Sequence, residues 1–178
     1  SEIKLWKIGY CSSGEYSGRI IIPSFTETGD LNYFIARSYK QHKQKHKNPK
    51  VEKNNMVFNE LLIDWERPII LTEGPFDAIR GGTNSIPLLG SSLRENSKLF
   101  EKIVSCDSTI CLALDPDAKE KEMKIGMNLA KYGIDVFKLE VAPYKDLAEM
   151  PRTELARRKS EAKHFSFYDW VSYSLRRV

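Results

Sequence analysis

Acidic side chains follow two apolar runs of the chain, and this arrangement favours chemistry that uses a metal ion. Glu73 follows the apolar residues 69–71, and Asp115 and Asp117 follow a second run, residues 109–114. Such runs are typical of strands buried on both faces of a parallel sheet, and open α/β sheets bind ligands at the carboxyl ends of these strands. Carboxylates that converge there repel one another unless a cation neutralises them, and clustered oxygen ligands suit Mg²⁺ or Mn²⁺. The sequence therefore predicts a divalent-metal site at this edge of the sheet.

The spacing of the acids decides how strongly each one favours a metal. Asp115 and Asp117 are two positions apart, and side chains at i and i+2 of an extended segment point the same way, so both can reach one ion. An Asp-Pro turn is also common where no metal is bound. Glu73 alone fits a strand-end acid that caps the next helix. Asp77, one helical turn later, fits a solvated or salt-bridged acid as well as a ligand.

Alternating strands and helices must position these acids. Apolar runs predict the strands, and amphipathic or proline-initiated segments predict the helices between them. The predicted strands are residues 69–71, 85–89, 109–114 and 134–141, and the predicted helices are residues 74–82, 93–102 and 118–132. This order predicts right-handed βαβ crossovers and an α/β fold with a mainly parallel central sheet flanked by helices.

The flanking segments differ from this alternating region. Residues 19–25 and 31–39 surround a turn signal and predict a hairpin within an N-terminal β-rich segment. The C-terminal tail, residues 152–178, predicts one or two helices, with Ser166 and Asp169 as an N-cap pair. For the aromatic residues of the tail we expect burial in the core, and the alternative is a surface on which a partner docks. These residues are Phe165, Phe167, Tyr168, Trp170 and Tyr173.

Length and composition exclude several classes of protein. The chain has 178 residues, of which 41% are hydrophobic and 29% charged, as is typical of a globular domain with a small appendage. No apolar run approaches the roughly 18 residues of a membrane span, so we expect no membrane partner. The three cysteines lack Cys-x-x-Cys spacing, which argues against a disulfide framework or a zinc ribbon and favours a cytoplasmic setting.

Positive charge concentrates in two segments, although the net charge is only +4. Residues 37–53 contain seven Lys or Arg residues and one acid, and a second basic stretch covers residues 152–163. Either stretch alone fits a solvated loop or helix face as well as it fits a binding surface. Beside an acidic metal site, basic segments suit a polyanion such as nucleic acid or a nucleoside triphosphate.

The acids and several flanking motifs resemble one protein family. Glu73-Gly74 and Asp115-Pro116-Asp117 resemble the acidic motifs of TOPRIM domains, which occur in primases, topoisomerases, OLD-type nucleases, ribosomal-RNA maturases and recombination mediators. The flanks resemble those of DnaG-type bacterial and phage primases. The flanking motifs are residues 5–10, 18–23, 34–38, 47–50, 89–93 and 145–146.

This resemblance implies a DNA primase catalytic core with a TOPRIM fold. Such a core makes short RNA primers on a single-stranded DNA template from ribonucleoside triphosphates, by nucleotidyl transfer that depends on Mg²⁺ or Mn²⁺. By position, the resemblance implies Glu73, Asp115 and Asp117 as catalytic residues. The implied metal ligands are Glu73, Asp77, Asp115, Asp117 and Asp146, and the implied nucleotide or nucleic-acid contacts are Arg19, Arg37, Lys47 and Lys50. It also implies a replicative helicase and a separate zinc-binding template-recognition module as partners, in the cytoplasm of a bacterial or phage-infected cell.

The same resemblance predicts the domain organisation. Residues 1–60 correspond to an N-terminal β-rich primase-core segment with a basic loop, residues 61–150 to the TOPRIM domain, and residues 151–178 to a C-terminal helical tail. The upstream part of the polymerase domain and the zinc and helicase domains have no counterpart. We therefore expect a catalytic-core fragment or a reduced primase of phage type.

Two departures from the family motifs keep other functions open. The motif Asp-Gly-Asp-Ala-Ala-Gly-Arg becomes Asp-Pro-Asp-Ala-Lys-Glu-Lys at residues 115–121, so Pro116 replaces a glycine, and Ala148 stands where a last aspartate is frequent. One alternative is a TOPRIM nuclease, in which the same acids activate water. The other is a nucleic-acid-binding module that kept the fold and lost a competent metal centre.

Overall fold

The chain divides after Leu62 into two units, Ser1–Leu62 and Ile63–Val178. The residues described by the structure, a computed structural model, are 1–39, 45–90 and 92–175. Parts of three sequence predictions lie outside them, namely residues 40–44 of the basic loop, Ser91 of the motif at 89–93 and residues 176–178 of the tail. Among the described helices, none combines the length and the apolar character needed to cross a membrane.

The N-terminal unit is built on an antiparallel sheet. Its elements are α1 (Glu2–Leu5), β1 (Gly9–Cys11), β2 (Arg19–Phe25) and β3 (Leu31–Ser38), and the strand order is β1-β2-β3. Strands β2 and β3 form the predicted hairpin, with Ile22 paired with Ile35 at its buried centre. The rings of Tyr33 and Phe58, both buried, pack edge to face and extend this core.

The described residues of the C-terminal unit form a five-stranded, mainly parallel sheet. Its strands are β4 (Ile69–Thr72), β5 (Ser85–Pro87), β6 (Ile110–Ala113), β7 (Val136–Lys138) and β8 (Lys163–His164), in the order β5-β4-β6-β7-β8. The first four are parallel, and β8 is antiparallel to β7. The predicted α/β class with a mainly parallel sheet is therefore confirmed. The sequence did not predict β8, because two polar residues carry no periodic signal.

Within the described part of this unit, five helices accompany the sheet. They are α2 (Pro75–Gly81), α3 (Lys98–Ser105), α4 (Lys119–Lys131), α5 (Arg152–Ser160) and α6 (Phe167–Leu175). Helix α2 begins with proline at its first helical position, where a missing N–H group costs nothing. Helix α3 begins later than predicted, because Ser97 caps it and its Oγ accepts a hydrogen bond from the N–H of Phe100 (3.3 Å).

The C-terminal tail is partly helical and partly buried. Ser166 and Asp169 form the predicted N-cap pair: Asp169 Oδ2 accepts a hydrogen bond from Ser166 N–H (2.8 Å), and Ser166 Oγ accepts one from Asp169 N–H (3.3 Å). The expectation of core burial is correct for Phe165 but wrong for Phe167, Tyr168 and Trp170, which are 64%, 77% and 38% exposed. An aromatic pattern shows that a helix has an apolar face but not which neighbour covers it.

Candidate functional site

Two adjacent parallel strands bring the strand-end acids to one edge of the sheet. Strand β4 pairs with β6, and Thr72 lies opposite Ala113 at the end of the pairing. Glu73 is the next residue after β4, and Asp115 follows β6 by two residues. Their common location is what the two apolar runs predicted, because parallel strands share the same carboxyl edge.

Asp115 lies in the combined field of the other acids. The residue is half-buried, and burial is the main cause that raises the pKa of its carboxyl group from 3.8 to about 6. The negative charges that add to this shift are those of Asp77, Glu73, Asp146 and Asp117. The other four acids that the sequence singled out are therefore near enough to act on Asp115 electrostatically.

Glu73 already has a cation beside it, Lys121 of α4. Lys121 Nζ donates to Glu73 Oε2 at 2.7 Å, and the two side chains are only 23% and 21% exposed. Glu73 Oε1 is buried and has no hydrogen-bond partner among the described residues. One carboxylate oxygen is thus neutralised by a lysine, and the other is left without a donor.

The donor atoms at this edge suit a hard divalent cation, although they do not yet enclose one. Within the described ranges, no three Asp, Glu, His or Cys side chains lie close enough together to hold a metal ion. The unpartnered Glu73 Oε1 and the raised pKa of Asp115 both indicate negative charge that a cation would stabilise. Carboxylate oxygens are the ligands that Mg²⁺ and Mn²⁺ prefer, so the chemistry of the set fits either ion.

Asp77 uses both of its oxygens to hold the backbone. Its Oδ2 accepts a hydrogen bond from Gly74 N–H and its Oδ1 accepts one from Ala148 N–H, both at 3.0 Å. Burial raises the pKa of Asp77, and these backbone donors oppose that increase. The carbonyl of Ala148 in turn accepts a hydrogen bond from Arg80 Nε (3.2 Å). Asp77 therefore links α2 to the turn at residues 146–149, in addition to its predicted role as a ligand.

Asp146 is held within the same turn. Its Oδ1 accepts a hydrogen bond from Glu149 N–H (2.9 Å), and its negative charge contributes to the raised pKa of both Asp77 and Asp115. The side chain of Asp146 is half-buried and so remains accessible to a ligand. Ala148, which stands where the family often has an aspartate, contributes backbone groups to the site and no carboxylate.

A cleft of about 1030 Å³ opens beside these acids. Its wall includes Glu73, Asp115 and Asp117. The rest of the lining combines apolar, basic and amide side chains. Lining residues that the sequence analysis did not assign to the site include Leu93, Arg94, Asn96, Lys121, Lys124, Ile125 and Asn128. Such a mixed lining is typical of a site for a small polar ligand. The sequence did contain a sign that Lys121 belongs to the site, because Lys121 aligns with the arginine that ends the motif Asp-Gly-Asp-Ala-Ala-Gly-Arg.

The predicted phosphate-binding residues lie in the N-terminal unit, in differing environments. Arg19 is only 5% exposed, and its Nη1 donates to the carbonyl of Lys45 at 3.2 Å. Arg37 and Lys50 are exposed. Lys47 forms an ion pair with Glu15 Oε1 at 2.9 Å. Arg37 and Lys50 therefore offer accessible charge, whereas Arg19 binds the backbone of its own unit.

Positive charge accumulates around the end of β3. Arg37 forms a β-bridge with His46. Burial lowers the pKa of His46, and the positive charges of Arg37, Arg19 and Lys45 lower it further. The positive charges of Arg37, Arg19 and Lys45 therefore lie close together at the end of β3, and such a basic surface suits contacts to phosphate.

Several solved structures that share this fold are primase catalytic cores. An Aquifex aeolicus primase fragment with zinc-binding and RNA polymerase domains aligns with a TM-score of 0.69 at 21% identity, covering 86% of this chain and 42% of that one. A DNA primase domain from Pseudomonas aeruginosa aligns with a TM-score of 0.71 at 17% identity, covering 95% and 60% of the two chains. A DnaG primase catalytic domain bound to single-stranded DNA gives 0.67 at 17% identity, with coverages of 88% and 58%.

At this level of identity the comparisons show a shared fold. The chain spans 42% of the Aquifex aeolicus fragment and 60% of the Pseudomonas aeruginosa domain. No protein-family model and no curated protein sequence matches the chain. The sequence-based fold class is nevertheless confirmed, since the mixed α/β arrangement with its mainly parallel sheet is that of the primase cores.

Proposed function

We propose that this chain is the catalytic core of a DnaG-type primase with a TOPRIM domain. It synthesises short RNA primers on single-stranded DNA from ribonucleoside triphosphates by metal-dependent nucleotidyl transfer. The observation that carries this proposal is the convergence of Glu73 and Asp115, with Asp117, at one edge of the parallel sheet. The likeness of the fold to primase cores supports the choice of reaction.

Glu73, Asp115 and Asp117 would hold Mg²⁺ or Mn²⁺ in this proposal. When bound, the ion supplies neutralisation of the negative charge on the nucleotide triphosphate. The contribution of the chain is to place three carboxylates at the rim of the cleft before substrate arrives. Asp77 and Asp146 serve a second ion or orient water molecules, and Asp77 also keeps the turn at 146–149 in position.

The basic residues of the N-terminal unit contact phosphates of the template or the nucleotide. Arg37 and Lys50 are exposed and suited to direct contacts, since Arg binds phosphate in a bidentate manner. A phosphate must compete with Glu15 for Lys47, because the two side chains form an ion pair. Arg19 acts by supporting the strand that carries Arg37, because it is buried and bonded to backbone carbonyls. Such contacts hold the nucleic acid without reading its sequence.

The partners follow from the same proposal. A structural neighbour is a primase domain bound to single-stranded DNA, which supports a template of that kind. Another contains a zinc-binding domain beside its RNA polymerase domain, which supports a separate zinc module as a partner. A replicative helicase is proposed from the resemblance of the sequence to DnaG-type primases.

Product analysis tests the proposal. The purified chain is incubated with single-stranded DNA, labelled ribonucleotides and Mg²⁺ or Mn²⁺, and both nucleic acids are resolved on a gel. We expect short oligoribonucleotides whose yield falls on the order of 10²–10³-fold with Asp115→Asn, because a group that supports developing charge is lost. Asp135→Asn is the matched control, since Asp135 lies before β7 with 71% of its side chain exposed.

Two other results of this product analysis would favour the two alternative functions. Shortened DNA without new RNA would make the chain a metal-dependent nuclease. Intact DNA, no RNA and DNA binding that is independent of divalent metal would make it a non-catalytic binding module.

A further inference from the structure

The ion pair between Glu73 and Lys121 joins residues that are 48 positions apart. Glu73 lies at the end of β4, and Lys121 lies in the first turn of α4, so the contact depends on the packing of the helix beside the sheet. The pair is about four-fifths buried at both ends, which distinguishes it from a solvated surface pair.

Two other lysines of α4 make ordinary contacts within the helix. Lys119 pairs with Glu122 at 3.1 Å, and Lys124 pairs with Glu120 at 2.8 Å. Both contacts are of the i,i+3 or i,i+4 type that helix geometry favours by itself. Lys121 differs, because its ammonium group reaches across to a strand-end acid.

The position of the ammonium group conflicts with a divalent ion on the same carboxylate. The two oxygens of a carboxylate are close together, so an ion bound to Glu73 Oε1 or to both oxygens would lie within a few ångströms of Lys121 Nζ. Cations at such a separation repel strongly in a partly buried site. A metal ion on Glu73 Oε1 therefore competes electrostatically with the lysine on Oε2.

We propose that Lys121 is a built-in counter-ion that competes with the divalent metal for Glu73. Without metal, the ammonium group neutralises Glu73 and holds its side chain in place. Metal binding releases Lys121 into the cleft that it lines together with Arg94 and Lys124, where its charge is available to a phosphate group. The inference rests on the metal site of the proposed function and assigns Lys121 as a positioning residue of that site.

Reciprocity gives the expected effect of removing the lysine. If bound metal displaces Lys121, the loss of Lys121 must raise the affinity for metal by the same coupling factor. Loss of any nearby positive charge also raises metal affinity, so a control with an equal change of charge is needed. Lys124→Met provides it, because Lys124 lines the same cleft one helical turn away and pairs with Glu120 instead of Glu73.

The test measures the binding of Mn²⁺ to the full chain, from the electron paramagnetic resonance signal of free Mn²⁺. Wild type, Lys121→Met and Lys124→Met are compared, and Lys121→Gln serves as a second variant in case the methionine impairs folding. We expect Lys121→Met to bind Mn²⁺ about fivefold or more tightly than Lys124→Met, a modest value for coupled sites. The proposal would be overturned if Lys121→Met bound Mn²⁺ no more tightly than Lys124→Met does, or if none of the proteins bound Mn²⁺.

A second readout uses thermal unfolding and needs no activity. In EDTA, Lys121→Met should unfold at a lower temperature than Lys124→Met, because it leaves a partly buried carboxylate without its counter-ion. Saturating Mn²⁺ should abolish that difference. Persistence of the full difference in Mn²⁺ would count against exchange of the two cations at Glu73.

These measurements can fail separately from the proposed function. Mn²⁺ binding that is unaffected by Lys121→Met, together with primer synthesis, would reject the counter-ion and keep the primase. Tighter Mn²⁺ binding by Lys121→Met, together with no primer synthesis by wild type, would keep the counter-ion and reject the primase.

Discussion

At the scale of single residues, Asp115 carries the clearest electrostatic signature of the site. Its pKa is raised to about 6 by burial and by four neighbouring carboxylates. Since the folded chain holds this proton more tightly than the unfolded chain, the stabilisation is fully present below the ordinary pKa of 3.8. It is lost as the pH rises through about 6, where the ionised carboxylate meets the field of the other acids.

Asp115→Asn should remove this dependence on pH. In EDTA, the free energy of unfolding of the variant relative to wild type should increase from about pH 4 to about pH 7 and then level off, because only wild type gains the unfavourable charge. Urea unfolding of both proteins across this range measures the difference, and Asp135→Asn controls for loss of an exposed acid. A difference that does not change with pH would contradict the raised pKa of Asp115.

At the scale of elements, the site depends on a connection between α2 and the turn at residues 146–149. Asp77 makes this connection through hydrogen bonds from Gly74 and Ala148, and Arg80 adds a second link to the carbonyl of Ala148. The turn carries Asp146, so the position of that acid depends on Asp77 even though the two carboxylates repel. A residue expected to bind metal thus also has a structural role.

Variants of Asp77 separate these two roles. Asp77→Ala should lower the free energy of unfolding by about 1–3 kcal/mol, because it leaves two partly buried backbone N–H groups without an acceptor. Asp77→Asn keeps one acceptor oxygen and should cost less stability. Urea unfolding measures both, and equal stability of wild type and Asp77→Ala would contradict the connection. Loss of primer synthesis in a stable Asp77→Asn protein would indicate that the charge itself is needed.

At the scale of the whole molecule, the sequence predicts the parts of the fold that have strong local signals. The hairpin of β2 and β3 and the buried strands β4 and β6 follow from β-branched and continuous apolar runs. The acids at the sheet edge follow from their position directly after those strands. Strand β8 and the exposure of Phe167 depend on tertiary neighbours, which no local pattern encodes, whereas the start of α3 is set by the local cap at Ser97.

The features of the site that the sequence missed are contacts between distant segments. The pair of Lys121 with Glu73 and the link from Asp77 to Ala148 each join segments that are far apart in the chain. Residue spacing can place an acid at the end of a strand, but the donor that reaches it depends on how helices pack against the sheet. The assignment of Arg19, Arg37, Lys47 and Lys50 to phosphate contacts stays a prediction.

The central claim is that the acids at the sheet edge support nucleotidyl transfer. Its most direct measurement is the initial rate of dinucleotide formation from labelled ribonucleotides on single-stranded DNA with Mg²⁺ or Mn²⁺, for wild type and Glu73→Gln. We expect wild type to form dinucleotides and Glu73→Gln to lose on the order of 10²–10³-fold in rate, because the side chain keeps its shape but not its charge. Full dinucleotide synthesis by Glu73→Gln would contradict the claim.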